Sequence, residues 1–316
     1  MDVLQACQVE WNDLENKQYD LVITSEDADH LSNWLPVKDT AGKCFRLAIK
    51  HEKPGLLKNR KDYESIGRPG FELIELEEER SDKLMQYLGS FLERSGKKEL
   101  CLLVDYTGMS KTWYAAIINY LMMSDTFCNK ITIYFAYFPS RSASVPKRSF
   151  LTTAKPLLRS ETGQGKDHNR KALLVGLGLD HEEAERLVKK IDPQVLYLFY
   201  AEPGIDSAYT AKVLQLNQKV IKKAGVGNLV AYPIHDMEKT EEIISSLAFD
   251  LRLNHKVFLA PLGGRILSLT CLLIFSKFPD IEVWTTSKDN ESIQEELPVR
   301  NPVVLETIFV KEEESE

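Results

Sequence analysis

The chain of 316 residues repeats one order of strands and helices twice. In each half, short apolar runs alternate with stretches whose apolar residues have helical spacing. The fourth runs begin at Leu100 and Val257, and the fifth runs begin at Ile131 and Ile281. A shared order and spacing of five strands indicates duplication more specifically than any single matching motif. The sequence therefore predicts two related domains built on one plan.

The predicted strands are nearly continuous apolar runs, which is typical of parallel sheets covered by helices on both faces. Right-handed crossovers then give an α/β chain of two tandem Rossmann-like domains with mostly parallel sheets. The first-half strands are Tyr19–Thr24, Cys44–Ile49, Phe71–Leu76, Leu100–Asp105 and Ile131–Phe138. Those of the second half are Ala172–Leu177, Val195–Tyr200, Leu229–Pro233, Val257–Ala260 and Ile281–Thr285. The principal helices are one capped by Ser81, then Thr112–Met123, His181–Ile191, Ala208–Ala224, Thr240–Leu253 and Ile266–Phe278.

Changes in composition suggest where the domains end. We expect a first domain over 1–140, a basic linker or loop over 141–171, a second domain over 172–310 and an acidic disordered tail over 311–316. The segment from Ser140 to Lys171 holds eight Lys and Arg residues against only Glu161 and Asp167. It is either a solvated linker or a phosphate-facing loop. The residues from Asn301 onward predict a further edge strand.

Overall charge and cysteine usage limit the class of protein. The net charge of −7 argues against nonspecific nucleic-acid binding over the whole surface, but it allows a local basic site. The five cysteines form no CxxC pair, which favours core thiols in a reducing compartment. The N-terminus lacks a signal-peptide pattern, and the longest apolar run, Ile266–Phe275, is too short to span a bilayer. We expect a soluble cytoplasmic protein without a membrane partner.

The polar turn after the fourth strand of the first half is the best candidate for a site. Thr107 and Ser110 supply hydroxyl groups, Gly108 permits close backbone approach, and Lys111 adds a positive charge at the start of a helix. Helix N-termini favour anions because their first amides lack intrahelical partners. Asp105 opens this turn and belongs to the same motif.

The equivalent turn of the second half carries Gly263, Gly264 and Arg265. Both turns suit a phosphate or another anionic group. The alternative is that the glycines only allow tight strand-to-helix connections, with Thr107 or Ser110 as a helix cap. Gly176-Leu177-Gly178 is a GxG without the third glycine of a dinucleotide-binding fingerprint, so no dinucleotide cofactor is expected, and no other cofactor is predicted.

The stretch Asp105-Tyr106-Thr107-Gly108-Met109-Ser110-Lys111 resembles the signature turn of CRISPR-associated Rossmann-fold sensor domains, the CARF-like and SAVED-like domains of prokaryotic defence systems. Pro261-Leu262-Gly263-Gly264-Arg265 is similar but has no threonine and carries arginine in place of lysine. The resemblance implies a tandem nucleotide-sensing or adaptor protein that binds a cyclic oligonucleotide or another nucleotide. It also implies an effector protein in trans, and it is compatible with a homo-oligomer. If the two halves share one ligand, Lys111 and its hydroxyl neighbours should contribute more to binding than Arg265. If they do not, the second turn has only a structural role.

Two other functions stay open at this point. One is an enzyme acting on a nucleotide or a phosphorylated small molecule, with His51, His181 or His235 at a strand end as acid or base. The other is a noncatalytic scaffold. The histidines form no HExxH or other metal-ligand pair, and no GxSxG motif is present. The acidic group at Glu75, Glu77, Glu78 and Glu79 predicts a charged face or, less simply, a metal site.

Overall fold

The computed structural model divides the chain into two compact units, one of residues 1–139 with 298–316 and one of residues 140–297. The structure describes residues 1–14, 17–25, 44–52, 71–77, 80–124, 128–138, 153–159, 169–202, 207–287 and 302–311. Predicted features outside these ranges include the helix around Trp34, the irregular segment 56–69, the acidic end 312–316 and most of the basic stretch.

The first unit contains, among the described residues, one seven-stranded sheet in the order β1-β13-β6-β5-β2-β3-β4. The five strands from β6 to β4 run parallel, whereas β13 is antiparallel to both β6 and β1. The strands are β1 (Asp2–Val9), β2 (Leu21–Ser25), β3 (Phe45–His51), β4 (Glu72–Leu76), β5 (Glu99–Asp105), β6 (Lys130–Tyr137) and β13 (Val303–Val310).

The second unit contains, within the described ranges, a six-stranded sheet in the order β10-β9-β8-β11-β12-β7. Five strands are again parallel, and β7 pairs antiparallel with β12. The strands are β7 (Thr153–Leu158), β8 (Lys171–Gly176), β9 (Val195–Ala201), β10 (Leu229–Tyr232), β11 (Lys256–Pro261) and β12 (Glu282–Ser287). Numbered within each half, the parallel strands have the same order 3-2-1-4-5 in both sheets, which confirms the predicted pair of Rossmann-like units.

The helices cover the sheets with apolar faces that match their sequence periodicity. α3 places Ala184, Leu187, Val188 and Ile191 in the core of the second unit, against Leu173 and other strand residues. α7 is buried along its whole middle, and its polar residues return their hydroxyl groups to backbone carbonyls, as Thr270 does to Ile266 at 3.0 Å. The helices are α1 (Asp82–Ser95), α2 (Lys111–Met123), α3 (His181–Ile191), α4 (Ser207–Leu216), α5 (Gln218–Ala224), α6 (Met237–Leu251) and α7 (Arg265–Lys277).

The structure differs from the predicted domain boundaries at both ends of the second domain. β13 lies inside the first unit's sheet between β1 and β6, so it is neither an edge strand nor part of a domain over 172–310. β7 forms within the expected linker 141–171 and completes the second unit's sheet. β13 was assigned to the wrong domain because a strand's apolar pattern does not say which sheet it joins. β7 was missed because it lies within a basic stretch that suggests a linker.

Two smaller differences concern local structure. β1 was not predicted from the sequence, and it pairs antiparallel with β13. The helix predicted over Ala208–Ala224 is divided into α4 and α5 at Asn217. The buried Asn217 amide donates to the carbonyl oxygens of Gly178 and Val213, which fixes the break. Within the described residues, no helix is long and apolar enough to cross a membrane.

Candidate anion-binding turns

The turn between β5 and α2, residues 105–111, lies where the strand order of the first sheet reverses. β5 and β2 are neighbours in this sheet, and the chain proceeds from them toward opposite sides, to β6 and to β3. Ligands of open parallel α/β sheets bind at such a reversal, outside the carboxyl ends of the strands. This segment is called turn 1 below. It contains five of the eight predicted site residues.

Asp105 acts inside turn 1. Its side chain is fully buried, and one carboxylate oxygen accepts a hydrogen bond from the Thr24 hydroxyl at 2.9 Å. The other oxygen accepts one from the Thr107 amide at 3.0 Å. Asp105 thus joins the end of β2 to the backbone of turn 1, which fixes the turn's shape while the carboxylate itself remains covered.

Thr107 and Ser110 both use their hydroxyl oxygens as acceptors. Thr107 Oγ1 accepts from the Phe138 amide at 3.0 Å, and Ser110 Oγ accepts from the Trp113 amide at 3.3 Å as the N-cap of α2. A hydroxyl that accepts a backbone hydrogen bond still has its own hydrogen to donate. These contacts therefore fix the positions of both hydroxyl oxygens in turn 1.

An aromatic cluster holds the turn against the sheet. The Tyr106 ring is fully buried, with its centroid 5.3 Å from that of Tyr114 and 5.5 Å from that of Tyr137. The Met109 amide closes the turn by donating to the Tyr106 carbonyl oxygen at 3.2 Å. Because its central residues are anchored in this way, turn 1 is preorganised, which lowers the entropy cost of binding.

His51 and Trp113 complete turn 1 from outside its own segment. His51, the last residue of β3, donates from Nε2 to the Gly108 carbonyl oxygen at 3.3 Å. Its ring also packs on the Trp113 ring with centroids 4.2 Å apart. The Trp113 indole N–H donates in turn to the carbonyl oxygens of Glu77 and Arg80 after β4. Turn 1 is therefore braced by the ends of two neighbouring strands.

Lys111 occupies the first position of α2 and is half-buried. The amides in the first turn of an α-helix have no intrahelical acceptor, and the helix dipole places partial positive charge there. With the Lys111 ammonium, the hydroxyls of Thr107 and Ser110 and the α2 amides, turn 1 assembles the donor types that bind phosphate.

The equivalent segment of the second unit, residues 261–265, is called turn 2. Gly264 is the N-cap of α7 and makes no side-chain cap, and a Cβ added to it would meet nothing within 4 Å. Arg265 is half-buried at the first position of α7. Turn 2 therefore keeps a cation and an uncapped helix start, but it has no counterpart of the hydroxyls of turn 1.

In the second sheet, the loops that follow β8 and β11 pack closely against each other at the point where the strand order reverses. A Cβ at Gly178 would lie 2.5 Å from the Leu262 carbonyl oxygen, and one at Gly263 would lie 3.0 Å from the Leu177 carbonyl oxygen. A Cβ at Gly176 would lie 1.9 Å from Leu267 Cδ2. The GxG of this unit thus allows β8 and β11 to place their following loops in contact, which is a packing role.

The remaining candidates are dispersed. His235 is exposed after β10, and His181 opens α3 next to its N-cap Asp180. His30 and His168 lie outside the described residues, as do Glu78 and Glu79. Within the described part of the chain, no group of three or more His, Cys, Asp and Glu side chains is placed to hold a metal ion. Of the basic stretch, Arg170 and Lys171 lie at the amino end of β8, the edge opposite turn 2.

Sequence reasoning flagged His51 only as a residue at a strand end and missed Trp113 as a brace. The sequence does contain a feature that could have indicated this role. Trp113 lies two residues after Lys111 in the first turn of a helix, where a side chain points back toward the preceding turn. Ser25, the last residue of β2, was also missed. It is fully buried, and its hydroxyl has no hydrogen-bond partner among the described residues, so a buried donor lies at the same sheet edge as turn 1.

Comparison with known proteins assigns no family. No protein-family model matches the chain, and no curated protein matches it in sequence. One solved structure that aligns with it is titled "Adenylation, ketoreductase, and pseudo Asub multidomain structure of a keto acid-selecting NRPS module". The alignment covers 87% of this chain and 34% of that one, at 11% identity and a TM-score of 0.19. The chain spans about a third of that protein's length, and a TM-score this low establishes no shared fold.

Proposed function

We propose that the chain binds the phosphate groups of a nucleotide or short oligonucleotide at turn 1 and relays that binding to an effector protein, as a sensor or adaptor of a prokaryotic anti-phage system. The observation that carries the proposal is the donor set of Thr107, Ser110 and Lys111 at the start of α2, where the strand order reverses. The resemblance of residues 105–111 to nucleotide-sensing domains supports the choice of ligand class and biological setting.

The charge distribution supports an anionic ligand. The chain carries a net charge of −7, so a phosphate is not attracted to the protein as a whole. Turn 1 combines one ammonium group, two oriented hydroxyls and a helix start within seven residues. Hydrogen bonds to charged groups contribute about 1.5–3 kcal/mol each, so a few such donors suffice for micromolar binding.

Ligand binding by paired variants tests the proposal. The full-length chain is titrated with cyclic and linear oligonucleotides and with pyrophosphate, with thermal stabilisation as the first readout and calorimetry as the second. Lys111→Met keeps most of the side-chain length and removes one charge-assisted contact, so affinity should fall by roughly 10- to 100-fold. Arg265→Met should have a smaller effect on the same ligand.

Lys98→Met is the matched control. Lys98 is exposed at the amino end of β5, so this variant changes the net charge equally but at the opposite end of the strand that leads into turn 1. Its affinity should equal that of the unmodified chain. The proposal is refuted if no phosphate-containing ligand stabilises the chain, or if Lys98→Met weakens binding as much as Lys111→Met does.

An enzyme acting on a nucleotide or phosphorylated small molecule is a second candidate, and the placement of His51 favours it. His51 is the one candidate histidine that the described structure brings into turn 1, since its Nε2 lies 3.3 Å from the Gly108 carbonyl oxygen. An acid or base at His51 predicts turnover that His51→Ala abolishes while ligand binding persists, and His235→Ala should leave turnover unchanged. The scaffold alternative predicts partner co-purification that survives both Lys111→Ala and Arg265→Ala.

A further inference from the structure

The sixth strand of each half occupies the same position in the repeat. β6 ends at Tyr137 and β7 begins at Thr153, while β12 ends at Ser287 and β13 begins at Val303. The interval between the fifth and sixth strands is therefore identical in the two halves. The duplication thus extends beyond the five parallel strands, and β7 and β13 are equivalent elements.

Each of these strands pairs with the fifth strand of the other half. In the first sheet, Val303 pairs with Tyr137 and Leu305 with Phe135. Moving each number to the equivalent position in the opposite half, 150 residues away, gives pairs 153 with 287 and 155 with 285. The second sheet contains both of these pairs, between β7 and β12. The pairing register is therefore reciprocal over residues 153–156 of β7 and 284–287 of β12, and a register shift between Val283 and Trp284 interrupts it beyond that point.

We propose that the chain is a strand-exchanged dimer joined into one polypeptide, in which the place beside strand five of each half is a docking site for the sixth strand of the other half. The position between β1 and β6, called the interior slot below, is occupied by β13. The chain reaches this strand only after it has formed the whole second unit. Without exchange, β7 would fold back on β6, and β13 on β12.

The chemistry of the two sixth strands makes them non-interchangeable. β13 is paired on both sides, so each of its backbone N–H groups faces a neighbouring strand. Among the described residues, β7 is paired on one side only, and it contains Pro156, which has no N–H and is tolerated at a sheet edge. Pro156 is therefore tolerated in β7 at the sheet edge beside β12. In the interior slot between β1 and β6, its missing N–H would remove a backbone hydrogen bond.

A polar contact inside the slot adds specificity for β13. Glu306 occupies the position of the repeat that Pro156 has in β7, and its carboxylate accepts a hydrogen bond from the Tyr134 hydroxyl of β6. Lys17 donates to the same hydroxyl at 2.7 Å, and Cys7 of β1 donates to the other Glu306 oxygen at 3.6 Å. The proline of β7 offers no acceptor at this position, so the unexchanged arrangement would lose the hydrogen bonds that Tyr134 and Cys7 donate to the Glu306 carboxylate.

An engineered disulfide tests the exchange in the full-length chain. The Lys311 amide donates to the Asn129 carbonyl oxygen, so the next pair, Lys130 with Val310, is a non-hydrogen-bonded pair with the short spacing that a disulfide needs. In the Lys130→Cys/Val310→Cys variant, we expect a bond between β6 and β13 within one chain. The matched control is Lys130→Cys/Ser160→Cys, because 160 is the position equivalent to 310 in the unexchanged hairpin.

Cleavage distinguishes the arrangements. A specific protease site inserted between Gln294 and Glu295 is cut after oxidation, and the products are separated under denaturing, nonreducing conditions. The C-terminal piece should stay linked in the first variant. Both cysteines of the control lie in the N-terminal piece, so a bond in the control is detected by counting the free thiols of the denatured protein, and both engineered thiols should remain free. Single-cysteine variants report any bond to native thiols. A bond in the control overturns the proposal. So does a missing bond in a first variant that melts like the parent, or a bond that joins two copies of the chain.

Discussion

Removal of β13 should unfold the first unit and leave the second intact. A chain ending at Leu297 lacks this strand, whose Val303, Val304, Leu305 and Phe309 side chains are at most 5% exposed. At about 1.5–3 kcal/mol for each buried apolar side chain, the loss is roughly 6–12 kcal/mol. That is comparable to the whole stability of an ordinary domain, about 5–15 kcal/mol. The pairing of β1 is lost as well, because β1 lies at the sheet edge beyond β13.

Tryptophan fluorescence can follow the two units separately. Trp113 is fully buried in the first unit, and Trp284 lies on β12 of the second. Variants that keep one of these residues and replace the other tryptophans by phenylalanine are unfolded in urea, with and without residues 298–316. The Trp113 transition should disappear in the shortened chain, and the Trp284 transition should keep its midpoint. The reasoning fails if Trp113 still reports a cooperative transition within about 2 kcal/mol of the full-length value.

A point substitution provides a milder form of the same test. Phe309→Ala should destabilise the first unit by about 3–5 kcal/mol, because it empties a fully buried position. Val310→Ala at the neighbouring half-buried position is its control and should cost less than about 1 kcal/mol. Equal effects of the two substitutions on the Trp113 transition would show that β13 is not packed as described.

The other predictions concern the turns and one thiol. Gly178→Ala should destabilise the second unit by about 1–3 kcal/mol in urea unfolding, because its Cβ would meet a backbone oxygen at 2.5 Å, whereas Gly227→Ala has open space and should be nearly neutral. Ser110→Ala should cost about 0.5–2 kcal/mol of first-unit stability through the lost N-cap, and Ser110→Thr should restore most of it. Burial raises the pKa of the Cys101 thiol from 9.0 to about 11. Its contribution to the stability of the first unit is therefore complete below pH 9 and is lost as pH rises through 11. In Cys101→Ala, the urea midpoint should depend less on pH over this range.

The parallel core of the fold could be predicted because its information is local. Buried strands such as Leu100–Asp105 read as apolar runs, and the capped start of α3 is visible in the Asp180 to Glu183 segment. The destination of β13 could not be predicted. Its apolar pattern fits the interior of any sheet, and the choice between two slots depends on Glu306, Tyr134 and other residues far apart in sequence.

The candidate site was predictable as a segment, but the roles of its residues were not. Asp105 and Lys111 are both charged residues of one short motif, so the sequence does not show which of them is buried. In the structure, the Asp105 carboxylate is buried and accepts hydrogen bonds from the Thr24 hydroxyl and the Thr107 amide. The brace from His51 was hidden for the same reason, because β3 reaches turn 1 only through the strand order of the sheet.

The two turns keep their shape by different means, and this bears on how the copies diverged. Side chains hold turn 1, since Ser110, Thr107 and His51 each hydrogen-bond to backbone groups. Glycines and direct backbone contact hold turn 2, with Gly178 against Leu262. Hydroxyl donors can serve a ligand as well as the fold, whereas a glycine contact leaves only amides and one cation for it. If Arg265→Met nevertheless weakened ligand binding as much as Lys111→Met, the helix starts shared by both turns, and not the hydroxyls of turn 1, would be the principal anion-binding groups.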